Sequence, residues 1–312
     1  MPIAVLGNAA IDLLFEVETV PRPGQSVAVP GKRRDFGGKG LNQAIAARRA
    51  GAFVRLCAAI GEDAHGDAIM ARLAAEGIDP SSLLRRPQPT DESLIFVTPG
   101  GENAILGVSP PDGAPDPDAV RRFLAGFRRG DLLLVGGNLP AATLEAALRA
   151  ARRLGIYRIL NPPPVAFAGE KLLSLVDMLV ANAAELRLHG GEEELDRAVS
   201  NLQAAGIRRL IVTLGAGGAV LCDENGHIHL PAPRVEAVDT TGAGDLLLGV
   251  LAAGLDRGLP PPIALRRAVA VASFSVGRRG TLTSFPDHRE METLFARLEE
   301  NEEPVVHPLP GS

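Results

Sequence analysis

Short apolar runs alternate with stretches whose apolar residues recur every three or four positions, and the alternation persists through most of the chain. Ile3–Leu6, Phe53–Ile60, Leu132–Val135, Ile156–Leu160, Met178–Ala181 and Leu210–Thr213 are brief and almost continuously apolar, which predicts buried strands. Asn42–Ala50, Asp67–Glu76, Leu144–Leu154 and Leu195–Ala205 carry the helical period. Each is followed by a glycine (Gly51, Gly77, Gly155, Gly206) suited to a left-handed C-terminal cap. Strand, helix and strand repeated in this way imply an α/β fold: a doubly wound, mainly parallel sheet covered by helices on both faces. Ligands of such folds bind outside the carboxyl ends of the strands.

Two stretches read instead as alternating strands without intervening helices: Leu13–Phe36, punctuated by PRPG and VPGKR, and Ser93–Val108, which contains the turn-like PGGEN. They are expected to pair in space as a small β-sheet lid that closes over a pocket and excludes water, or else to decorate the sheet as two hairpins. The expected division is a core of residues 1–12, 37–92 and 109–300, a lid of residues 13–36 and 93–108, and a C-terminal tail of residues 301–312. The Pro-rich Ser109–Pro117 reads as a loop, and the tail as frayed.

Composition narrows the function. With 312 residues, 46% of them hydrophobic and 22% charged, the chain can bury a large core. A net charge of −5 leaves no global basic field for a polyanion, and the arginine pairs are scattered, so no nucleic-acid partner is expected. Cys57 and Cys222 lie inside apolar runs with no metal-ligand spacing, which fits a reduced, cytoplasmic setting. The N-terminal residues lack a basic signal-peptide region, and no apolar run approaches the roughly 20 residues a membrane span needs.

The strongest chemical signal is DTTGAGD, Asp239 to Asp245, followed by the apolar LLLGVLAAGL. Gly242, Ala243 and Gly244 would bring the chain into a helix start whose free backbone N–H groups form an anion hole suited to a transferring phosphoryl group. Asp245, in the first turn, could take the proton of an attacking hydroxyl, although an Asp there can equally be a cap or dipole partner. A dinucleotide fingerprint would need a third glycine where Leu247 stands.

The second signal is FGGKGLNQ, where Gly37, Gly38 and Gly40 surround Lys39 and lead into a helix carrying Asn42. Glycines let backbone lie against a polar ligand, Lys39 offers a cation, and Asn42 offers both donor and acceptor to vicinal hydroxyls. The spacing is not that of a Walker loop. Polar residues also stand where strands end: Asn138 in GGNLP, Asn161 in NPPP, and Asn182 with Glu185 in ANAAE. The last pair has the spacing of a capping box, the reading favoured here, or could orient magnesium-bound water or phosphate. Thr213–Gly218, TLGAGG, could wrap a nucleotide or simply turn a hairpin. His227 and His229 share a strand face and, without a third partner, read as a surface pair.

Taken together, Asp12 after GNAAI, the glycine motif GGKGLNQ, the ANAAE element and the signature DTTGAGD, in that order, resemble the ribokinase-like (PfkB) carbohydrate kinases over nearly the whole chain. The resemblance implies an ATP-dependent kinase with Asp245 as catalytic base and Gly242, Ala243 and Gly244 as anion hole. Asp12, Gly38, Lys39, Asn42 and Asn138 would touch the phosphoryl acceptor; Asn182, Thr213, Gly215 and Gly218 would line the ATP site. Glu185 would help organise Mg2+ through water. Members that use a monovalent cation such as K+ hold it near the anion hole, and the matching positions are Asp239, Thr241, Ser275, Arg278, Gly280 and Ser284. Ribose-specific members tend to carry Asn two residues before the early Asp and Glu near position 138, where this chain has Ala10 and Asn138. Ribose itself is therefore disfavoured, and the acceptor is expected to be a sugar or sugar-like small molecule, or alternatively a nucleoside. A catalytically idle sugar-binding protein on the same fold and a nucleotide-dependent oxidoreductase are the rival expectations. A homodimer through the lid strands is the expected assembly.

Overall fold

The computed structural model describes residues 2–98, 103–108, 113–163 and 170–300. In chain order the strands are β1 (Pro2–Leu6), β2 (Ala10–Glu16), β3 (Lys32–Gly37), β4 (Phe53–Cys57), β5 (Ala59–Gly61), β6 (Leu84–Arg86), β7 (Asp91–Val97), β8 (Asn103–Val108), β9 (Leu132–Gly136), β10 (Tyr157–Asn161), β11 (Met178–Asn182), β12 (Arg209–Thr213), β13 (Ala219–Asp223) and β14 (Gly226–Leu230). The helices are α1 (Lys39–Arg49), α2 (Ala64–Ala75), α3 (Pro117–Leu124), α4 (Ala141–Leu154), α5 (Ala183–Gly190), α6 (Leu195–Ala204), α7 (Ala243–Asp256), α8 (Pro261–Ser275) and α9 (His288–Glu300).

The large sheet runs β14-β13-β12-β11-β10-β9-β1-β4. It is parallel from β4 to β12, and β13 and β14 close it with antiparallel hairpins. Its strands are continuously apolar because both faces are covered, and successive residues serve opposite cores. Ile3 and Val5 of β1, with Leu132 and Leu134 of β9, join the core under α1, α7 and α8. Ala4 and Leu6, with Leu133 and Val135, join the core under α3, α4 and α6. Gly51, Gly77, Gly155 and Gly206 all have positive φ, as the helix-stop pattern requires.

The second sheet, β3-β2-β7-β8, brings together the two stretches that lie some eighty residues apart in sequence. Strands β2 and β7 are parallel, whereas β3 and β8 flank them antiparallel. Its boundaries differ from those the pattern suggests: β2 begins at Ala10, β3 ends at Gly37 and β7 begins at Asp91. Asp12, expected in the core segment, is thus in the middle of a small-sheet strand. The change of sheet is made at Gly7, where a Cβ would come within 2.7 Å of Gly40 Cα. Residues 17–31, read as part of a strand-rich stretch, contain no strand.

The predicted strand Phe53–Ile60 is two strands, with β5 leaving the large sheet to pair with β6. Parts of Ser109–Pro117, the turn PGGEN and the tail 301–312 lie outside the described residues. Among the described residues no helix is long and apolar enough to cross a membrane.

Candidate functional site

The carboxyl ends of β1, β9, β10, β11 and β12 open toward one side, and the starts of α1 and α7 meet there. Helix α7 starts because Gly242 turns the chain with φ 78°, a conformation costly for any residue with a Cβ; a Cβ there would also lie 3.0 Å from Thr281 and 3.1 Å from the Phe285 ring. Gly244 has open space around it. Among the described residues no hydrogen bond is made by the N–H of Gly242 or Gly244, while the Ala243 N–H donates to the Thr240 carbonyl at 3.3 Å. Of the three expected anion-hole donors, two are open and the third is already engaged, at the long end of hydrogen-bond range.

Asp245 lies in the first turn of α7, as the sequence predicts. The Asn42 carboxamide donates to its Oδ2 at 3.1 Å and that of Gln43 to its Oδ1 at 2.9 Å. Burial pushes its pKa above the usual carboxylate range. The nearby Lys39 charge and the two carboxamide donors pull it back, and Glu185 adds to the rise. The side chain is therefore more than a dipole partner: it faces inward to a polar cluster from α1.

Lys39 is set by Asn8, whose Oδ1 accepts the Lys39 backbone N–H at 3.0 Å. Its ammonium donates to Asn161 Oδ1 at 2.6 Å and lies 3.6 Å from Glu185 Oε1, so it spans the ends of β10 and β11 rather than reaching Asp12. Gly38 has φ 90° and packs on Asn8 and Ala10, and a Cβ on Gly37 would overlap the Asp12 carboxylate. Those two glycines are what lets β2 lie against the start of α1. Asn138 is exposed just after β9.

Asp12 is buried, and its Oδ2 accepts from Thr281 Oγ1 at 2.9 Å. On the sheet it stands opposite Asp35 of β3 and Ser93 of β7. Its pKa is raised to about 6, first by burial; the hydroxyls of Thr281 and Ser93 oppose the rise, and the Asp35 and Asp245 charges add to it.

Asn182 and Glu185 form the capping box that the spacing predicts, with bonds of 2.8 and 3.0 Å, and Glu185 also faces Lys39. Asn182 and Thr213 are register partners on β11 and β12, so two residues assigned to the nucleotide stand side by side. The turn carrying Gly215 (φ 56°) and Gly218 (φ 89°) closes on itself through Leu214 N–H to Gly218 O at 2.8 Å, beginning the β12–β13 hairpin.

The expected cation positions also converge. Asp239, buried, accepts from Thr241 N at 3.0 Å and Gly280 N at 2.9 Å, which ties the segment before α7 to the loop after α8. In that loop Ser275 O accepts from Arg278 N, and Ser284 Oγ donates to Thr281 O. Arg278 itself points to Glu290, in a two-pronged pair. Cys57 and Cys222 are free, buried thiols pushed up to about 12 by burial. His229 bonds the Gly217 carbonyl and no cluster of three or more potential metal-ligating residues is found among the described residues.

Sequence reasoning gave no role to Gln43, Thr281, Asn8 or Asn161. Gln43 had a signal, since it follows Asn42 within the quoted GGKGLNQ; Thr281, 269 residues from Asp12, had none.

Residues 2–288 match the family described as pfkB family carbohydrate kinase. A ribokinase of Haemophilus influenzae is 31% identical over 294 residues, covering 92% of this chain and 96% of the relative. A deoxyribokinase of Salmonella typhi is 29% identical over 293 residues, with the same coverage. Among solved structures, Arabidopsis thaliana ribokinase complexed with ribose and ATP superimposes with a TM-score of 0.80 at 26% identity, covering 94% of this chain and 98% of that one.

Proposed function

This chain belongs to the pfkB family of carbohydrate kinases and is an ATP-dependent phosphotransferase, and from that premise we propose that Asp245 is its general base, acting on a hydroxyl of a sugar or sugar-like acceptor. The observation that carries the reading is the meeting of Asp245 with two open backbone N–H groups at the mouth of α7. The hydroxyl oxygen attacks the γ-phosphorus of ATP, its proton passes to the Asp245 carboxylate, and the bond from phosphorus to the ADP oxygen breaks. The N–H groups of Gly242 and Gly244, joined by Ala243 if its long bond to Thr240 yields, face the charge that develops on the phosphoryl oxygens.

Lys39 supplies a fixed positive charge on the same side, with Asn161 and Glu185 holding its ammonium. Asp12 and Asn42 are the groups for the acceptor hydroxyls, and Gly38 lets them approach. Asn138 contributes from the β9 end. Asn182, Thr213, Gly215 and Gly218 support the nucleotide. Mg2+ arrives with ATP. Glu185 would help hold it, through water, as suits an ion that keeps several waters.

A monovalent cation fits at Asp239: the carboxylate is buried, has only two backbone N–H partners among the described residues, and lacks a compensating positive side chain there. Thr241, Ser275, Arg278, Gly280 and Ser284 would complete it, several of them through backbone oxygens, and the ion would steady the loop that leads into the anion hole. Ala10 and Asn138 supply no carboxylate and one polar side chain fewer than ribose-specific members carry, which favours an acceptor with fewer hydroxyls or more bulk.

The small sheet acts as the lid. Its outer strand β8 has an unpaired edge in the described residues and exposes Ile105, Leu106 and Val108, each more than half accessible. Such an edge favours a second copy of the chain as its partner. The test of the function is ADP release over a panel of pentoses, deoxypentoses and nucleosides. Wild type should turn over at least one of them, and Asp245→Asn should lose about 100-fold or more in kcat while binding ATP normally. Full turnover by the Asn variant refutes the base; no ADP release with any acceptor favours a binding protein.

A further inference from the structure

Helices α1 and α7 pack unusually closely beside the site. Gln43, Ala46 and Ala47 of α1 and its C-cap Ala50 recur at helical spacing, and Gly249 follows Asp245 by one turn on α7. A Cβ on Gly249 would lie 2.5 Å from Ala46 Cβ and 2.6 Å from the Gln43 carbonyl. In this seam of small residues Gln43 is the long polar exception, and it is fully buried.

Against the ionised Asp245 carboxylate its carboxamide can face in only one way. Nε2 donates to Asp245 Oδ1 at 2.9 Å, and the reversed amide would set oxygen against oxygen. That orientation leaves Gln43 Oε1 buried with no partner among the described residues. A residue serving packing alone would be apolar like its neighbours, because a buried carbonyl without a partner is destabilising. The bond to Asp245 offsets that cost, so the site retains Gln43 for what it does to the carboxylate.

We infer that Gln43 is a positioning residue for the base: with Asn42 on Oδ2, it fixes the rotation of the Asp245 carboxylate and favours its charged, proton-accepting form. This rests on the reading of Asp245 as base. The charged groups facing Asp245 are Lys39 from α1, Glu185 from α5 and Asp12 from β2; Lys39 acts in the same direction as Gln43 and the two acids against it. Gln43 touches Asp245 rather than the reacting atoms.

The experiment compares Gln43→Met, Gln43→Glu and Asp245→Asn by steady-state kinetics from pH 5 to 9, with ATP and the best acceptor varied in turn. Gln43→Met keeps length and loses the donor. It should lower kcat about 10-fold, leave both KM values within about 3-fold, and move the acid limb of the kcat profile to higher pH. Gln43→Glu keeps the shape but sets two carboxylates together, which must then share a proton, so its acid limb should move further up. A packing role predicts the opposite order, with the isosteric Glu variant nearer wild type. If both variants keep the wild-type kcat and pH profile, Gln43 is only a filler and the inference fails. If Gln43→Glu does not fold, Gln43→Met decides alone. Full activity in Asp245→Asn instead overturns the base itself, whatever Gln43 does.

Discussion

Two buried acids, Asp245 on the core and Asp12 on the small sheet, lie near enough to feel each other's charge yet are held under different terms. Asp245 stands where two helices of the main core meet, with a carboxamide on each oxygen and the Lys39 charge nearby. Asp12 stands on a strand of the second sheet, held by the hydroxyls of Thr281 and Ser93, with Asp35 opposite it and no cation among the causes that set its pKa. Burial raises both, but only Asp245 has positive charge working against the rise. A base needs a fixed, charged carboxylate. Under the proposed function, Asp12 binds the acceptor and can exchange its hydroxyl partners for those of the substrate.

The contrast breaks most directly at Asp245, where the Asn variant is expected to lose about 100-fold or more in kcat at unchanged ATP affinity. Replacing the acid of the other region should change binding instead. Asp12→Asn should raise the acceptor KM about 10-fold or more, leave the KM for ATP within about 2-fold, and melt at higher temperature than wild type at pH 8. The sign follows from linkage. A carboxyl raised to about 6 in the folded state binds more protons folded than unfolded between about pH 4 and 6, so stability falls as pH rises through that window. The Asn variant escapes this loss, and its thermal advantage should vanish at pH 4, where folded Asp12 is already protonated.

The same titration sharpens the comparison in the wild-type enzyme. Between pH 8 and 5 the acceptor KM should rise as Asp12 takes up its proton near pH 6, with the KM for ATP changing far less. Gly242→Ala tests whether the mouth of α7 depends on its backbone. With φ 78° and the Phe285 ring at 3.1 Å, the variant should lose about 1–2 kcal/mol in urea unfolding as well as activity. The smallest effect is expected at the rim of the lid. Leu106→Lys should shift the enzyme toward a smaller species in sedimentation while changing kcat by about 2-fold or less, since the side chain lies on an exposed edge strand.

The periodic parts of the fold were legible. Strands β1, β9, β10, β11 and β12 and helices α1, α4 and α6 are where the apolar pattern puts them, and the four helix-stop glycines have the expected positive φ. The strand Phe53–Ile60 misled because two short strands of different sheets follow each other without a polar break, and Asp12 was placed with the core because the change of sheet at Gly7 comes six residues before the stretch read as the small sheet begins. At the site, Asp245 at the first turn and the Asn182–Glu185 capping box followed from spacing. Ala243 as an open donor did not, because its engagement depends on where the Thr240 carbonyl comes to rest.

What the sequence alone determined was local: periodicity over a few turns selects helix or strand, and glycine beside a helix start predisposes the backbone to meet an anion. The register of β2 on β7, the bond from Thr281 to Asp12 and the grip of Gln43 on Asp245 join residues roughly 80 to 270 positions apart. No short-range pattern encodes such contacts. They exist because the sheet order and the close approach of α1 to α7 bring those side chains within hydrogen-bond reach, and that proximity then sets how each acid holds its proton.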